Sequence, residues 1–120
     1  MDGKKVWFIP DCELPDEGEG ILKGHESVIV LNTGNKKAVI NVTLYFADKE
    51  KYDNITWEVE SERVRCFRMN NKNDMIGYDV PKNTQYAMKI TSSAPVVIQY
   101  GRLDNRQTNL AYYTTLGYGK

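Results

Sequence analysis

The sequence has no excess of charge of either sign and no long apolar run, and both absences exclude classes of protein. Lysine plus arginine and aspartate plus glutamate each number 16 in 120 residues, so the net charge is zero and no general field attracts nucleic acid. Apolar runs such as residues 28–31 fall far short of the ~20 residues that span a bilayer, and the first residues lack the apolar core of a signal peptide. We therefore expect a cytoplasmic protein for which nucleic acid is an unfavoured partner.

Cysteine and histidine are scarce as well. Cys12 and Cys66 do not form a Cys-x-x-Cys pair, and with His25 alone they do not complete a recognisable zinc site. We expect two reduced thiols, with Cys66 buried in a strand, and we predict neither a metal nor a cofactor. The chain also lacks a nucleophile motif and a glycine-rich phosphate loop, so we expect no enzymatic activity.

Alternation of apolar and polar residues predicts an all-β protein. Period-two patterns and short apolar runs indicate strands at 5–9, 28–31, 38–46, 54–60, 63–69, 85–91, 96–98 and 110–118. Turn residues separate them, among them 60–62 and 92–95, and the acidic segment 11–20 is expected to form a mobile loop. We predict a single domain over residues 1–120, an antiparallel β-sandwich of about eight strands whose edges an oligomer could cover.

A polar cluster follows the apolar run that ends at Gln99. On an extended strand Tyr100, Arg102 and Asp104 project from one face. A guanidinium with a carboxylate can bind the hydroxyls of a sugar or a carboxylated metabolite. The same pair can equally form an ion pair that fixes the strand end to its neighbour.

His25 and Glu26 lie at the start of the apolar strand 28–31. His25 is a candidate general base because it is the only histidine, but adjacent residues on a strand point to opposite faces. That geometry weakens an acid-base pair, and the alternative is a polar pair that caps the strand.

The segment 63–68 carries arginines beside an aromatic residue. Its alternation predicts that Val64 and Cys66 point inward and that the arginines at 63 and 65 and Phe67 point outward. Such a stripe suits an acidic partner, a nucleic acid or a subunit interface. Glutamates on the preceding strand are expected to neutralise it across a hairpin.

These motifs together resemble the soluble sensory rhodopsin transducer family. The resemblance is densest in PVVIQ at 95–99 and RLD at 102–104, and it includes GHE at 24–26 and LYFADK at 44–49. It implies a jelly-roll sandwich that assembles into a homotetramer without catalysis. Carried over by position, it implies ligand-binding roles for Trp7, His25, Glu26, Asn32, Asp48, Arg63, Gln99, Arg102 and Asp104.

Three functions remain open at this point. The leading hypothesis is a non-enzymatic binding domain that recognises a small polar ligand such as a sugar or related metabolite. The family's namesake implies instead a signal transducer that binds a membrane photoreceptor, a sensory rhodopsin. Nucleic-acid binding through the arginine stripe is predicted to be weak because the net charge is zero.

Overall fold

The computed structural model describes residues 2–107 and 109–120 and is all-β in that part. Its eight strands are β1 (Lys4–Glu13), β2 (His25–Asn32), β3 (Ala38–Phe46), β4 (Tyr52–Val59), β5 (Arg63–Arg68), β6 (Gln85–Asp104), β7 (Ala111–Leu116) and β8 (Tyr118–Gly119). The pairings between these strands are antiparallel, which confirms the predicted fold class. Within the described ranges, no helix is long and apolar enough to cross a membrane.

Strand β6 spans 20 residues and joins the two halves of the sheet. Its first part pairs with β1 and β3, and its second part pairs with β2 and β7. Residues 92–95, predicted to form a turn, instead lie inside this strand. The side chains of Ser92 and Ser93 accept hydrogen bonds from the backbone N–H groups of Ala94 (3.3 Å) and Val39 (2.9 Å), so serine oxygens satisfy backbone donors where the strand changes partners.

The core lies between the two halves of the sheet. Alternate residues of β3 and β4 are buried, including Ile40 and Trp57, as their period-two pattern predicts. Across the core Trp57 stacks on Phe67 of β5, with ring centroids 4.1 Å apart and an interplanar angle of 2°. Burial of side chains of this size contributes about 1.5–3 kcal/mol each.

The first strand is longer than its sequence indicates. The prediction ended it before Pro10 and placed a mobile loop from residue 11, but β1 continues to Glu13, and Cys12 and Leu14 are both buried. A shift in register between Ile9 and Cys12 accommodates the proline, which cannot donate to a ladder.

The prediction for β5 was wrong in two respects. β5 pairs with β2 and not with β4, so no hairpin brings the glutamates of β4 opposite its arginines. Val64 and Cys66 are exposed, whereas Phe67 is buried. The pairing of β5 with β2 explains why the buried and exposed faces of β5 are exchanged relative to the prediction, because it places Phe67 opposite the fully buried Val28.

Strand β7 lies at an edge and is exposed on both of its faces. Each of its six residues is exposed, and its strand pairing is with β6. The apolar side chains of Tyr112 and Leu116 are 68% and 65% exposed, respectively. The apolar residues whose alternation predicts this strand therefore lie on the surface and not in the core.

Candidate functional site

A buried carboxylate lies at the centre of the polar cluster. Glu26, on β2, is fully buried. Its side chain points to the opposite face of the strand from that of His25, because adjacent residues of a strand alternate between its two faces. Its Oε1 accepts a hydrogen bond from the Tyr86 hydroxyl at 2.6 Å. Its Oε2 accepts one from the backbone N–H of Glu13 at 2.9 Å and another from the Tyr100 hydroxyl. Three donors from β1 and β6 therefore converge on one carboxylate.

Burial controls the protonation of this cluster. Desolvation raises the pKa of Glu26, and the hydrogen bonds from Tyr100, Tyr86 and Glu13 oppose that rise. Desolvation and the nearby carboxylate both raise the pKa of Tyr86 and of Tyr100, so both hydroxyls keep their protons and act as donors. Desolvation likewise raises the pKa of Cys12, which remains a thiol and not a nucleophilic thiolate.

Arg102 connects the buried cluster to the exposed strand β7. Its Nη1 donates to the backbone carbonyl of Glu13 at 3.2 Å, and its Nη2 donates to the Tyr113 hydroxyl. The guanidinium also lies over the Tyr113 ring, 4.9 Å from the centroid, which is a cation–π geometry. One side chain thus links β1, β6 and β7.

Asp104 belongs to a second, more exposed cluster. Arg106 donates from Nη2 to Asp104 Oδ2 at 2.5 Å and from Nη1 to Glu13 Oε2 at 2.6 Å and Asn83 Oδ1 at 2.8 Å. The hydrogen bonds from Arg106 lower the pKa of Asp104, and the bonds to Asp104 and Glu13 raise the pKa of Arg106. The ion pair that the sequence offered as an alternative role for Arg102 and Asp104 is therefore made by Arg106 with Asp104.

The remaining candidate residues lie apart from these clusters. Trp7 is buried, and its Nε1 donates to the carbonyls of Lys4 and Val96, both at 3.0 Å. His25 is partly exposed at the start of β2, where Nδ1 lies 2.9 Å from the Lys23 carbonyl.

Asn32 lies at the far end of β2, fully buried, where it closes the turn to β3. Its Nδ2 donates to the carbonyls of Lys36, Val59 and Glu60 at 2.8–3.2 Å, and its Oδ1 accepts from the Gly34 N–H at 3.0 Å. These contacts hold a loop in place and leave its side chain engaged within the chain.

The last three candidates do not share a site. Asp48 is exposed between β3 and β4, and Arg63 is exposed at the start of β5. Gln99 is half-buried on β6 between Ile29 of β2 and Leu116 of β7. Of the nine candidates, the structure brings Glu26 and Arg102 together around Glu13, with Asp104 beside them.

Several members of the clusters were not selected from the sequence as site residues. They are Glu13, Asn83, Tyr86, Arg106 and Tyr113. Tyr86 carries a local signal, because a tyrosine on the inward face of a strand must find a partner for its hydroxyl. Glu13 carries none, because it lies in the acidic segment 11–20, whose composition predicts a mobile loop.

The arrangement suits structural linkage better than catalysis. The buried carboxylate has three donors, and the guanidinium of Arg102 is engaged by a carbonyl and a phenol. Within the described ranges, no group of three or more His, Cys, Asp or Glu residues could hold a metal ion. The clusters couple four strands through side chains and present few unengaged polar atoms to a ligand.

Comparisons with known proteins agree with the architecture. The family model of the Anabaena sensory rhodopsin transducer matches residues 2–119. The crystal structure of Thermotoga maritima 1070 is similar over 100% of this chain and 97% of that chain, with 31% identity and a TM-score of 0.90. The Anabaena sensory rhodopsin transducer is similar over 82% of this chain and 96% of its own, with 33% identity and a TM-score of 0.71. No curated protein matches the chain.

Proposed function

This chain belongs to the Anabaena sensory rhodopsin transducer family, and from that premise we propose that it is a cytoplasmic, non-enzymatic signalling domain. Its proposed partner is a membrane photoreceptor of the sensory rhodopsin class. The name of the Anabaena relative supports this choice of partner, because it describes that protein as a transducer.

The exposed strand β7 is the observation that carries the proposal. Tyr112 and Leu116 of β7 and Tyr118 of β8 are 65–68% exposed. Beside β7, a groove of about 600 Å³ is lined mainly by apolar residues, including Ile9, Pro10 and Leu116. Exposed aromatic and apolar side chains along an edge strand favour a protein partner, since aromatic residues are enriched in such interfaces.

A binding measurement tests this assignment. The purified chain is titrated into a retinal-loaded sensory rhodopsin from the same organism, held in lipid nanodiscs, and the heat of binding is recorded. Leu116→Asp is expected to weaken binding at least about tenfold, as hot-spot losses do. Ile76→Asp, which changes another exposed apolar residue, is expected to leave it unchanged. An unaltered affinity of the Leu116 variant would remove β7 from the interface, and a genome without such a receptor would remove the partner.

Recognition of a small polar ligand is a second candidate function, favoured by one cavity. The cavity measures about 480 Å³, within the usual range for small-molecule sites, with Leu14, Met69 and Val80 among its lining residues and Lys72 and Lys82 also along it. A thermal-shift screen with sugars and sugar acids tests it, because a ligand at a hundred times its Kd adds about 2.7 kcal/mol to stability. A shift lost in Lys72→Ala would assign the ligand to this cavity, whereas a shift lost in Arg102→Ala would assign it to the Glu26 cluster. No shift with any compound would contradict this function.

Self-association is the third part of the proposal, with a homotetramer as the expected state. The support is the number of edge strands: β4 and β8 end one half of the sheet, and β5 and β7 end the other. Light scattering coupled to gel filtration measures the mass directly. A mass of about 14 kDa at all concentrations would contradict this assembly, since one chain has a mass of 13.8 kDa.

A further inference from the structure

Strand β5 is a second edge strand, and it carries an unusual share of the positive charge. It pairs with β2 and lies at the edge of the sheet opposite to β7, since the order in that half is β5, β2, β6 and β7. It holds Arg63, Arg65 and Arg68, which are three of the five arginines in the chain. This surface is therefore separate from the one proposed for the photoreceptor.

The side chains of Arg63 and Arg65 on β5 donate to backbone carbonyls. Arg63 Nη1 donates to the Glu62 carbonyl at 2.9 Å, and Arg65 Nη1 donates to the Glu58 carbonyl at 3.0 Å. In the part of the chain that the structure describes, none of the three arginines of β5 forms an ion pair. β5 itself contains no acidic residue, so the strand carries three positive charges beside the Asp74 carboxylate that accepts the Arg68 N–H.

The backbone of β5 offers hydrogen-bonding groups on its outer side. Met69, just after the strand, donates its N–H to the Glu26 carbonyl of β2 at 3.1 Å, whereas Arg68 donates its N–H away from β2, to Asp74 Oδ2 at 2.8 Å. Backbone groups of an antiparallel strand alternate between its two sides. Val64 and Cys66 therefore direct their N–H and C=O groups outward, as Arg68 does.

The side chains of β5 indicate which residue types a strand that pairs with its open edge would carry. Arg63 and Arg65 project on one face, and Val64, which is 60% exposed, projects on the other. We propose that β5 binds an extended acidic segment of a partner protein by strand addition, with carboxylates facing Arg63 and Arg65 and apolar residues facing Val64. Alternation of acidic and apolar residues is the recognition signature of this partner.

A protein segment fits this edge better than a nucleic acid. Single-stranded nucleic acids bind to aromatic residues that stack on their bases, but Phe67 is 1% exposed and stacks on Trp57. The outward N–H and C=O groups of β5 have their natural complement in another strand.

Fluorescence anisotropy with synthetic peptides tests the proposal. The probe is a fluorescein-labelled octapeptide of four Glu-Val repeats, and its control has the same composition in the order Glu-Glu-Val-Val. We expect the alternating peptide to bind and the control to bind at least about fivefold more weakly, because only alternation matches both faces of β5. Equal binding of the two peptides would overturn strand addition.

Variants separate the charge from the backbone. The double variant Arg63→Gln/Arg65→Gln is expected to weaken binding about fivefold or more, whereas Lys49→Gln/Lys51→Gln, with the same change of net charge, should change it less than twofold. Val64→Pro removes one outward N–H and is expected to abolish binding while the melting temperature confirms folding.

Two further results would overturn the proposal. One is the absence of peptide binding to the folded wild-type protein at low salt. The other is binding of a 20-base single-stranded DNA that depends on the same two arginines while the peptide does not bind.

Discussion

Replacing Tyr86 with phenylalanine removes one of the three donors to the Glu26 carboxylate and leaves the shape of the core unchanged. The Tyr86 ring is 2% exposed, so water cannot replace the lost hydroxyl. A hydrogen bond to a charged group contributes about 1.5–3 kcal/mol. With an unfolding entropy of about 2.1 cal/mol/K per residue, a 120-residue chain has about 0.25 kcal/mol/K in total. The melting temperature is therefore expected to fall by about 6–12 °C.

Thermal unfolding followed by circular dichroism at pH 7 measures this change. Tyr112→Phe is the matched control, because it deletes the same hydroxyl from a ring that is 68% exposed, and its melting temperature should stay within about 2 °C of the wild type. In a Glu26→Gln background the cost of Tyr86→Phe should shrink toward the ~1 kcal/mol of a neutral hydrogen bond. A Tyr86→Phe variant as stable as the control would refute the idea that the buried carboxylate depends on this donor.

Four further predictions concern two carboxylates, the core and the turn after β2. The pKa of Glu26 is raised, so the folded state binds the proton of this carboxyl group more tightly than the unfolded chain does. The contribution of Glu26 to the free energy of unfolding is therefore full below about pH 4.5 and is lost as pH rises through the folded pKa. Glu26→Gln should lower the free energy of unfolding most in acid. The pKa of Asp104 is lowered, so Asp104→Asn should reduce the free energy of unfolding fully above about pH 3.8, and this reduction should vanish as pH falls through the folded pKa. Urea unfolding across pH 3–8 distinguishes the two variants. Parallel pH profiles would contradict both pKa shifts. Phe67→Ala should cost about 3–5 kcal/mol and Val64→Ala less than ~0.5 kcal/mol in urea unfolding, and the reverse order would restore the inward assignment of Val64. Asn32→Ala should cost about 2 kcal/mol or more in the same assay, because four backbone groups lose their partner, and a neutral effect would show that the turn does not need it.

The strand pattern could be predicted because the alternation in this chain is local. Residues 54–60 have apolar residues at one parity only, residues 38–46 have most of theirs at one parity, and the structure buries that parity in both strands. The segment 63–68 has apolar residues at both parities, Val64 and Cys66 at one and Phe67 at the other. A count of apolar residues predicts that Val64 and Cys66 face the core. The larger apolar area of the Phe67 ring instead favours burial of Phe67.

The clusters around Glu26 could be predicted only in part. That Tyr100 and Arg102 share a face follows from their spacing on one strand, and both contact the site. Their partners come from distant parts of the chain: Glu13 is 89 residues from Arg102, and Tyr86 is 60 residues from Glu26. Such pairings depend on the register between strands, which a single sequence does not specify.

Signal transduction is tested most directly by the affinity of the chain for the photoreceptor proposed as its partner, measured in darkness and under illumination. A transducer must bind the two states of its receptor with different affinities, because a partner with equal affinity for both states does not shift the equilibrium between them. We predict dissociation constants that differ by about fivefold or more, which is the lower end of measured coupling between sites. Equal affinities in the dark and in the light, measured with folded protein and an active receptor, would contradict a role in signalling.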